Sequence, residues 1–183
     1  MRRILLTLAL LITGCELPVS PGRPITERPV VNVPLALRQS NWISSDGDGD
    51  GSCVHATMIS LLRWQGRSHT ADYWQRNYGG GECPDDMAAK LDRAGIRYAY
   101  VTNGDVRFLE WAIKTRRGCG ITVLGGAHFV ALVYLDDKQA AILDSNDVSK
   151  VRWVSRASLI AEWKASFGWA LAPVYSPAAP LPR

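Results

Sequence analysis

This 183-residue chain has no large excess of charge of either sign, no long hydrophobic run and only four cysteines. Its 21 basic and 17 acidic residues give a net charge of +4, and no basic stripe stands out, so the sequence does not indicate nucleic-acid binding. The apolar stretch near the start, residues 4–12, is too short to cross a membrane as a stable helix. The four cysteines are few enough to be considered one by one.

Residues 1–15 have the pattern of an export signal. Arg2 and Arg3 precede the apolar stretch, and the sequence Ile-Thr-Gly-Cys follows at 12–15. This pattern resembles a bacterial lipobox, which implies that residues 1–14 are removed and that Cys15 carries a membrane-anchoring lipid. A plain signal peptide with an incidental cysteine is the alternative. A lipid anchor predicts a place in the cell envelope, either on the outer membrane facing the periplasm or on the cell surface.

The rest of the chain divides into a spacer and one folded domain. Residues 15–35 contain five prolines and no helical period, which is typical of an extended tether. Residues 36–175 can bury one core as a single domain, expected to be a monomer, and residues 176–183 are expected to be a disordered tail. Without the signal, 19 basic residues face 17 acidic ones, so the exported chain is nearly neutral.

Three dispersed residues have the chemistry of a cysteine nucleophile and its partners. Cys53 begins an apolar-periodic run, CVHATMISLLRW, that predicts a helix. His128 opens the apolar segment HFVALVYL, and Asp144 closes the next one, AAILD. A thiol reacts as the thiolate, which a helix N-terminus and a neighbouring imidazolium both stabilise. Asp144 would hold the imidazole in the productive tautomer.

Each of these residues also has a structural interpretation. A cysteine in an apolar helix is often a small buried hydrophobe, and in an exported protein it is often half of a disulfide. His128 at a strand edge is commonly structural, and Asp144 before Ser-Asn can begin a turn. The order of the three residues, rather than any one of them, favours catalysis.

Hydrophobic periodicity and turn residues predict an α+β fold, with helices first and antiparallel strands later. Helices are predicted near 53–65, 84–94, 105–117 and 156–165. Strands are predicted at 120–125, 128–135, 139–144, 150–154 and 168–174, with a hairpin turn at Asp136-Asp137-Lys138.

The chain resembles the papain-like cysteine peptidases over roughly 33–175, and within them the bacteriocin-processing, double-glycine leader peptidases. The matching segments are VPLALRQ, GSCVHATMISLLRWQG and the stretch from Asp105 to Asn146. The resemblance implies a helical N-terminal half packed against a C-terminal antiparallel sheet, with a peptide or protein substrate in the cleft between them. It implies that Cys53, His128 and Asp144 are catalytic and that Gln39 contributes to the oxyanion hole. Trp169 would shield the His128–Asp144 pair or be a buried core residue.

The remaining candidate residues concern a disulfide and a metal. With Cys15 as the lipid site and Cys53 as the nucleophile, Cys83 and Cys119 are left as a pair that an oxidising envelope would allow to bridge. In the segment SSDGDGDGS, Asp46, Asp48 and Asp50 have the spacing of a calcium loop, but Thr57 stands where the bidentate carboxylate is needed. A solvated Gly-Asp turn is the alternative, and we expect no cofactor unless calcium binds here.

Two other functions remain open on the sequence. A peptidoglycan hydrolase that resembles the NlpC-type enzymes would also have a cysteine at a helix start and a histidine on the following sheet. A catalytically inactive papain-like module would bind a peptide without cleaving it. The second reading draws on Val54-His55 after the nucleophile, where the family has Gly, and on Gln39 lying fourteen residues before Cys53.

Overall fold

A computed structural model describes residues 29, 31–43 and 51–175 of the chain. Within them it has five α-helices: α1 (Cys53–Trp64), α2 (Ser68–Asn77), α3 (Pro84–Arg93), α4 (Val106–Lys114) and α5 (Arg156–Ala165). The strands are β1 (Tyr98–Val101), β2 (Cys119–Val123), β3 (His128–Leu135), β4 (Gln139–Asp144), β5 (Asp147–Ser155) and β6 (Ala170–Pro173). No helix of the described residues is long and apolar enough to cross a membrane.

The six strands form one antiparallel sheet in the order β1-β6-β2-β3-β4-β5. Because neighbouring side chains on a strand point to opposite faces, the sheet buries residues on both sides. One face packs against α4 and α5, where Leu109 and Trp163 meet Ile121 and Leu132. The predicted α+β class is confirmed.

The other face of the sheet carries α1, whose residues are almost all buried. Leu62 of α1 belongs to a cluster with Phe129 and Leu171 of the sheet, and α2 and α3 add Trp74 and Met87 to it. A helix that is buried on nearly every side has apolar residues all round, and α1 approaches this, although His55, Thr57 and Ser60 are also buried in it. This packing fixes the start of α1 beside the sheet.

Most predicted elements are found within a few residues of their expected ends. Asp105 caps α4 by accepting a hydrogen bond from Arg107 N, as its sequence position predicts. The helix ends at Lys114 rather than 117, because Arg116 adopts a left-handed conformation with φ of 61°. The hairpin between β3 and β4 is confirmed, with Asp136 Oδ1 accepting from the backbone N–H groups of Lys138 and Gln139.

The predicted disulfide between Cys83 and Cys119 is wrong: both thiols are free. Cys119 is fully buried on β2, among side chains on the α4–α5 face of the sheet. Cys83 is exposed at the start of α3, which packs on the opposite face. The sheet therefore separates the two sulfur atoms. A count of cysteines does not show on which face of the sheet each one lies, so the sequence could not reveal this separation.

Candidate active site

The first turn of α1 presents Cys53 to a cavity of about 490 Å³. Ser52 stands at the N-cap position, but its Oγ accepts a hydrogen bond from Gly80 N (2.9 Å) and does not cap the helix. The first turn also contains no acidic residue. The helix N-terminus therefore keeps backbone N–H groups that can stabilise negative charge at Cys53.

The sheet brings His128 and Asp144 together from adjacent strands, at the first residue of β3 and the last of β4. His128 Nε2 lies 2.7 Å from Asp144 Oδ1. Cys53 lines the same cavity as His128, and the interaction of its thiol with the imidazole is the largest cause of the raised pKa of His128. Because Nε2 faces the carboxylate, Nδ1 is the ring nitrogen left for the thiol.

The pKa values of this pair move in the directions that an ion pair needs. The hydrogen bond with Cys53 raises the pKa of His128 above its usual range, burial opposes the rise, and Asp144 adds to it. Burial alone would raise the pKa of Asp144, but hydrogen bonds from the Asn146 backbone and from His128 outweigh it and hold that pKa low. The arrangement favours imidazolium beside carboxylate.

Gln39 does not lie at this site, so its assignment to the oxyanion hole is wrong. Its backbone N–H donates to Ser60 Oγ (2.9 Å), and its side-chain Oε1 accepts from Arg63 (3.0 Å). Ser60 and Arg63 are two to three turns along α1 from Cys53, or about 10–15 Å at the rise of an α-helix. The prediction failed because the resemblance indicated a glutamine before the nucleophile but did not show which residue of that segment is aligned with Cys53.

Asn41, and not Gln39, lies at the cavity that contains Cys53. The backbone pairs at Ile43 with Gly51, and Ser52 N donates to Trp42 O (2.8 Å), so the same antiparallel register brings Asn41 opposite Cys53. Asn41 lines the cavity with Cys53 and His128. Its Nδ2 donates to Asn146 Oδ1 (2.9 Å), and no described residue donates a hydrogen bond to its buried Oδ1.

A backbone hydrogen bond holds Asn41 in place, and the lack of a side chain at Gly51 leaves room for its amide. Asn41 N donates to Ser145 O (2.8 Å), which ties the segment to the turn after Asp144. A Cβ atom added to Gly51 would lie 2.7 Å from Asn41 Nδ2, so glycine is needed there for the amide to approach. Nothing in the sequence marked Asn41, since the pairing across residues 44–50 is a tertiary feature.

Trp169 and Glu82 also line the cavity. Trp169 is buried and packs against Phe129, with ring centroids 4.6 Å apart, so its predicted core position is confirmed. Glu82 comes from the connection between α2 and α3 and was not predicted, because a single glutamate in a glycine-rich stretch, GGGECP, carries no pattern.

Two of the predicted sites lie outside the described residues. These are the lipidation site, Cys15, and the candidate calcium ligands Asp46, Asp48 and Asp50. Among residues 29, 31–43 and 51–175, no group of three or more His, Cys, Asp or Glu side chains is arranged to hold a metal ion.

No protein-family model and no curated protein matches this chain. Solved structures do share its fold. A C39-like peptidase from Bacillus anthracis aligns with a TM-score of 0.55 and 13% identity over 81% of this chain and 98% of its own. The peptidase domain of Streptococcus ComA, a bifunctional ABC transporter involved in a quorum-sensing pathway, aligns with a TM-score of 0.52 and 16% identity over 75% of this chain and 99% of its own. At these identities the likeness establishes the fold, and the predicted papain-like fold class is confirmed.

Proposed function

We propose that this protein is a cysteine peptidase that hydrolyses peptide bonds with Cys53 as nucleophile, His128 as acid and base, and Asp144 as the residue that orients the imidazole. One observation carries the proposal: the His128 imidazole lies 2.7 Å from the Asp144 carboxylate and lines the same cavity as the Cys53 thiol, whose interaction with it raises its pKa. Cys53 and His128 both line the wall of an open cavity. The fold shared with two peptidase structures supports the same reaction class.

The chemistry follows from the positions of these groups. The Cys53 thiolate attacks the substrate carbonyl carbon, and the developing oxyanion accepts hydrogen bonds from the uncapped start of α1 and from the Asn41 amide. The His128 imidazolium then protonates the leaving amine as the C–N bond breaks. His128, now neutral, removes a proton from water, and the resulting hydroxide adds to the thioester carbonyl. The C–S bond then breaks and the acyl group leaves as a carboxylic acid, which restores the Cys53 thiolate beside the His128 imidazolium.

A peptide is the substrate class that fits the cavity. Its walls come from the start of α1 and the connection after α2 on one side, and from the sheet residues Thr122, His128 and Phe129 on the other. An extended chain between two such walls presents a carbonyl to the nucleophile. The N-terminal pattern at 2–15, with Cys15 lipidated, extends the proposal to a peptidase tethered in the cell envelope.

The test is hydrolysis of casein and of a mixed peptide library by the protein, read by mass spectrometry. We expect cleavage that is lost in Cys53→Ala and retained in Cys83→Ser. Cys83 is a matched control because it is also a free thiol at a helix N-terminus, but its Sγ contacts Asp86 Oδ2 (3.1 Å) instead of an imidazole.

A parallel incubation with purified peptidoglycan separates the two hydrolase classes. Release of stem-peptide fragments without cleavage of casein or the library would show that the protein is a cell-wall hydrolase and not a peptidase that acts on proteins. Absence of any product from either substrate would contradict the proposal and favour a binding module.

A further inference from the structure

Glu82 brings a buried carboxylate to the wall of the catalytic cavity. Its side chain is only 2% exposed, yet it lines the cavity together with Gly81 and Cys53. Burying an ionised carboxylate is costly unless hydrogen bonds and opposite charge compensate it. The surroundings of Glu82 supply both kinds of compensation.

A chain of buried aromatic residues fixes one hydrogen bond to Glu82. Trp74 Nε1 donates to His55 Nδ1 (3.0 Å), so His55 Nδ1 is an acceptor and the proton of the neutral ring lies on Nε2. His55 Nε2 then donates to Glu82 Oε1 (2.9 Å). His55 is fully buried and lies on α1 two residues after Cys53, so this bond joins Glu82 to the helix of the nucleophile.

Lys90 of α3 adds an ion pair to the same oxygen, Glu82 Oε1. Burial would raise the pKa of Glu82, but the hydrogen bonds from His55 and Lys90 lower it below its ordinary value. Glu82 is therefore a carboxylate at neutral pH. The aromatic ring of Tyr78, stacked on Trp74 with centroids 4.0 Å apart, packs beside this cluster.

The two bonds leave half of the carboxylate unused. Both His55 and Lys90 contact Oε1, and no described residue donates a hydrogen bond to Oε2. Among the described residues, the fully buried polar side-chain atoms without a hydrogen-bond partner are Asn41 Oδ1, Ser145 Oγ and Trp169 Nε1. Glu82 Oε2 is not one of them, so this oxygen keeps some exposure. Since Glu82 lines the cavity and Oε2 has no described donor, Oε2 can accept a hydrogen bond from a substrate there.

The charges around Glu82 select the kind of group that it would accept. Among the described residues that line the cavity, Glu82 is the one carboxylate, and the ionisable groups beside it are Cys53 and His128. The segment from Glu82 to Lys90 carries three carboxylates, with Asp85 and Asp86, against one lysine. A carboxylate in the cavity wall, with more acidic than basic residues in the segment behind it, favours a cation that can donate a hydrogen bond.

We propose that Glu82 is a specificity-determining residue that binds an ammonium group of the substrate next to the scissile bond. The ammonium comes either from a lysine side chain or from a free N-terminal amine, since the two share the same chemistry. The inference rests on the proposed peptidase function and names the substrate class for it: peptides with a positive charge within a few residues of the cleaved bond.

Matched fluorogenic peptides test this proposal. In one series, lysine replaces norleucine at each of three positions on both sides of the cleaved bond. In the other, a free N-terminus replaces an acetylated one at increasing distance from that bond. We expect one position, in one series, at which the ammonium raises kcat/KM roughly tenfold, the effect of one charge-assisted hydrogen bond. That position identifies the source of the ammonium.

Three variants link this preference to Glu82. Glu82→Gln should remove it, while Asp85→Asn, an exposed carboxylate of the same segment that does not line the cavity, should retain it. Lys90→Gln should strengthen it, because the carboxylate loses its internal counter-charge. A purely structural Glu82 predicts lower melting temperatures in Glu82→Gln and Lys90→Gln and an unchanged preference, which would overturn the proposal.

Two controls separate this inference from the proposed function. Alkylation of Cys53 by iodoacetamide needs no substrate recognition and should proceed equally fast in Glu82→Gln. Binding of the same peptides to Cys53→Ala, measured by calorimetry, should show the ammonium preference without any catalysis. Preferential binding without cleavage by the wild-type protein would contradict the peptidase and retain Glu82; cleavage with equal binding and rates for charged and neutral peptides would contradict Glu82 and retain the peptidase.

Discussion

His128 Nε2 and Asp144 Oδ1 lie 2.7 Å apart at the ends of adjacent strands. His128 is the first residue of β3 and Asp144 is the last residue of β4, so antiparallel pairing brings both to the same end of these two strands. That end faces the start of α1, and the imidazole there reaches the Cys53 thiol. The site therefore depends on the packing of one helix against one hairpin.

The His128–Asp144 pair predicts a pH dependence of stability. The folded-state pKa of His128 is raised, so its contribution is fully present below the unfolded value of about 6.5 and is lost as pH rises through the folded value. The pKa of Asp144 is lowered, so its contribution is present above the unfolded value of about 3.9 and is lost as pH falls through the folded value. We expect His128→Ala to lower the free energy of unfolding more at pH 5.5 than at pH 9.

Urea unfolding of the wild-type protein and of His128→Ala at both pH values measures this difference. His69→Ala is the control, because His69 is exposed on α2 and makes no hydrogen bond in the described part of the chain. An equal loss at the two pH values would mean that the imidazole is not held as a cation beside Asp144.

Replacement of Asn41 tests the oxyanion site. Asn41→Ala removes an amide that lines the cavity opposite Cys53, and loss of one oxyanion donor typically lowers kcat by about 100-fold. Gln39→Ala should leave kcat nearly unchanged, since Gln39 interacts with Arg63 and lies outside the cavity. Steady-state kinetics on one peptide compares the two variants. A large loss in Gln39→Ala and none in Asn41→Ala would reverse the assignment.

The sequence predicted the elements that carry strong periodicity and missed those that do not. The apolar run from Cys53 and the segments beginning at His128 and ending at Asp144 predicted α1, β3 and β4 within one residue of their ends. α2 was missed because only Ala71 and Trp74 are buried on it, and its mean hydropathy is low. β1 was missed because it has four residues at the sheet edge and none of them is fully buried.

The site was predictable where it depends on single residues and unpredictable where it depends on register. Cys53, His128 and Asp144 could be proposed from the sequence because each begins or ends a periodic segment. Asn41 was missed because its position depends on the pairing of Ile43 with Gly51. No sequence pattern in the segment between these two residues predicts that they pair. Glu82 was missed for the same reason, since its partners His55 and Lys90 come from two different helices.

The two free cysteines of the sheet and of α3 predict that reductant has no effect on stability. Cys119 is fully buried among apolar side chains, and this burial raises the pKa of its thiol, so it remains a neutral core residue. Cys119→Ala should lower the free energy of unfolding by about 1 kcal/mol through lost packing. Cys83→Ser, at an exposed position, should change it by less than about 0.5 kcal/mol.

Thermal unfolding with and without dithiothreitol measures this directly. The melting temperature should be the same in both conditions for the wild-type protein and for Cys83→Ser. A drop with reductant in the wild-type protein, absent in Cys83→Ser, would show that Cys83 forms a disulfide after all.

The end of α4 offers a stabilising substitution. Arg116 is exposed and adopts φ of 61°, a conformation that costs a residue with a side chain about 1 kcal/mol relative to glycine. Arg116→Gly should therefore raise the free energy of unfolding by about 1 kcal/mol. Lys114→Gly is the matched control, an exposed residue within α4 where glycine should lower stability. Destabilisation by both substitutions would mean that Arg116 contributes interactions larger than its strain.

Residue-resolved alkylation tests the pairing of Cys53 with His128 most directly. Iodoacetamide modification at pH 6, followed by peptide mass spectrometry, gives separate rates for Cys53 and Cys83 in the same molecule, two accessible thiols at helix starts of which only Cys53 contacts an imidazole. We predict that Cys53 reacts at least about 100 times faster than Cys83, as an imidazole-paired thiolate does relative to an ordinary thiol, and that His128→Ala removes the difference. Equal rates for the two cysteines in the wild-type protein, or a fast rate at Cys53 that persists in His128→Ala, would contradict the account.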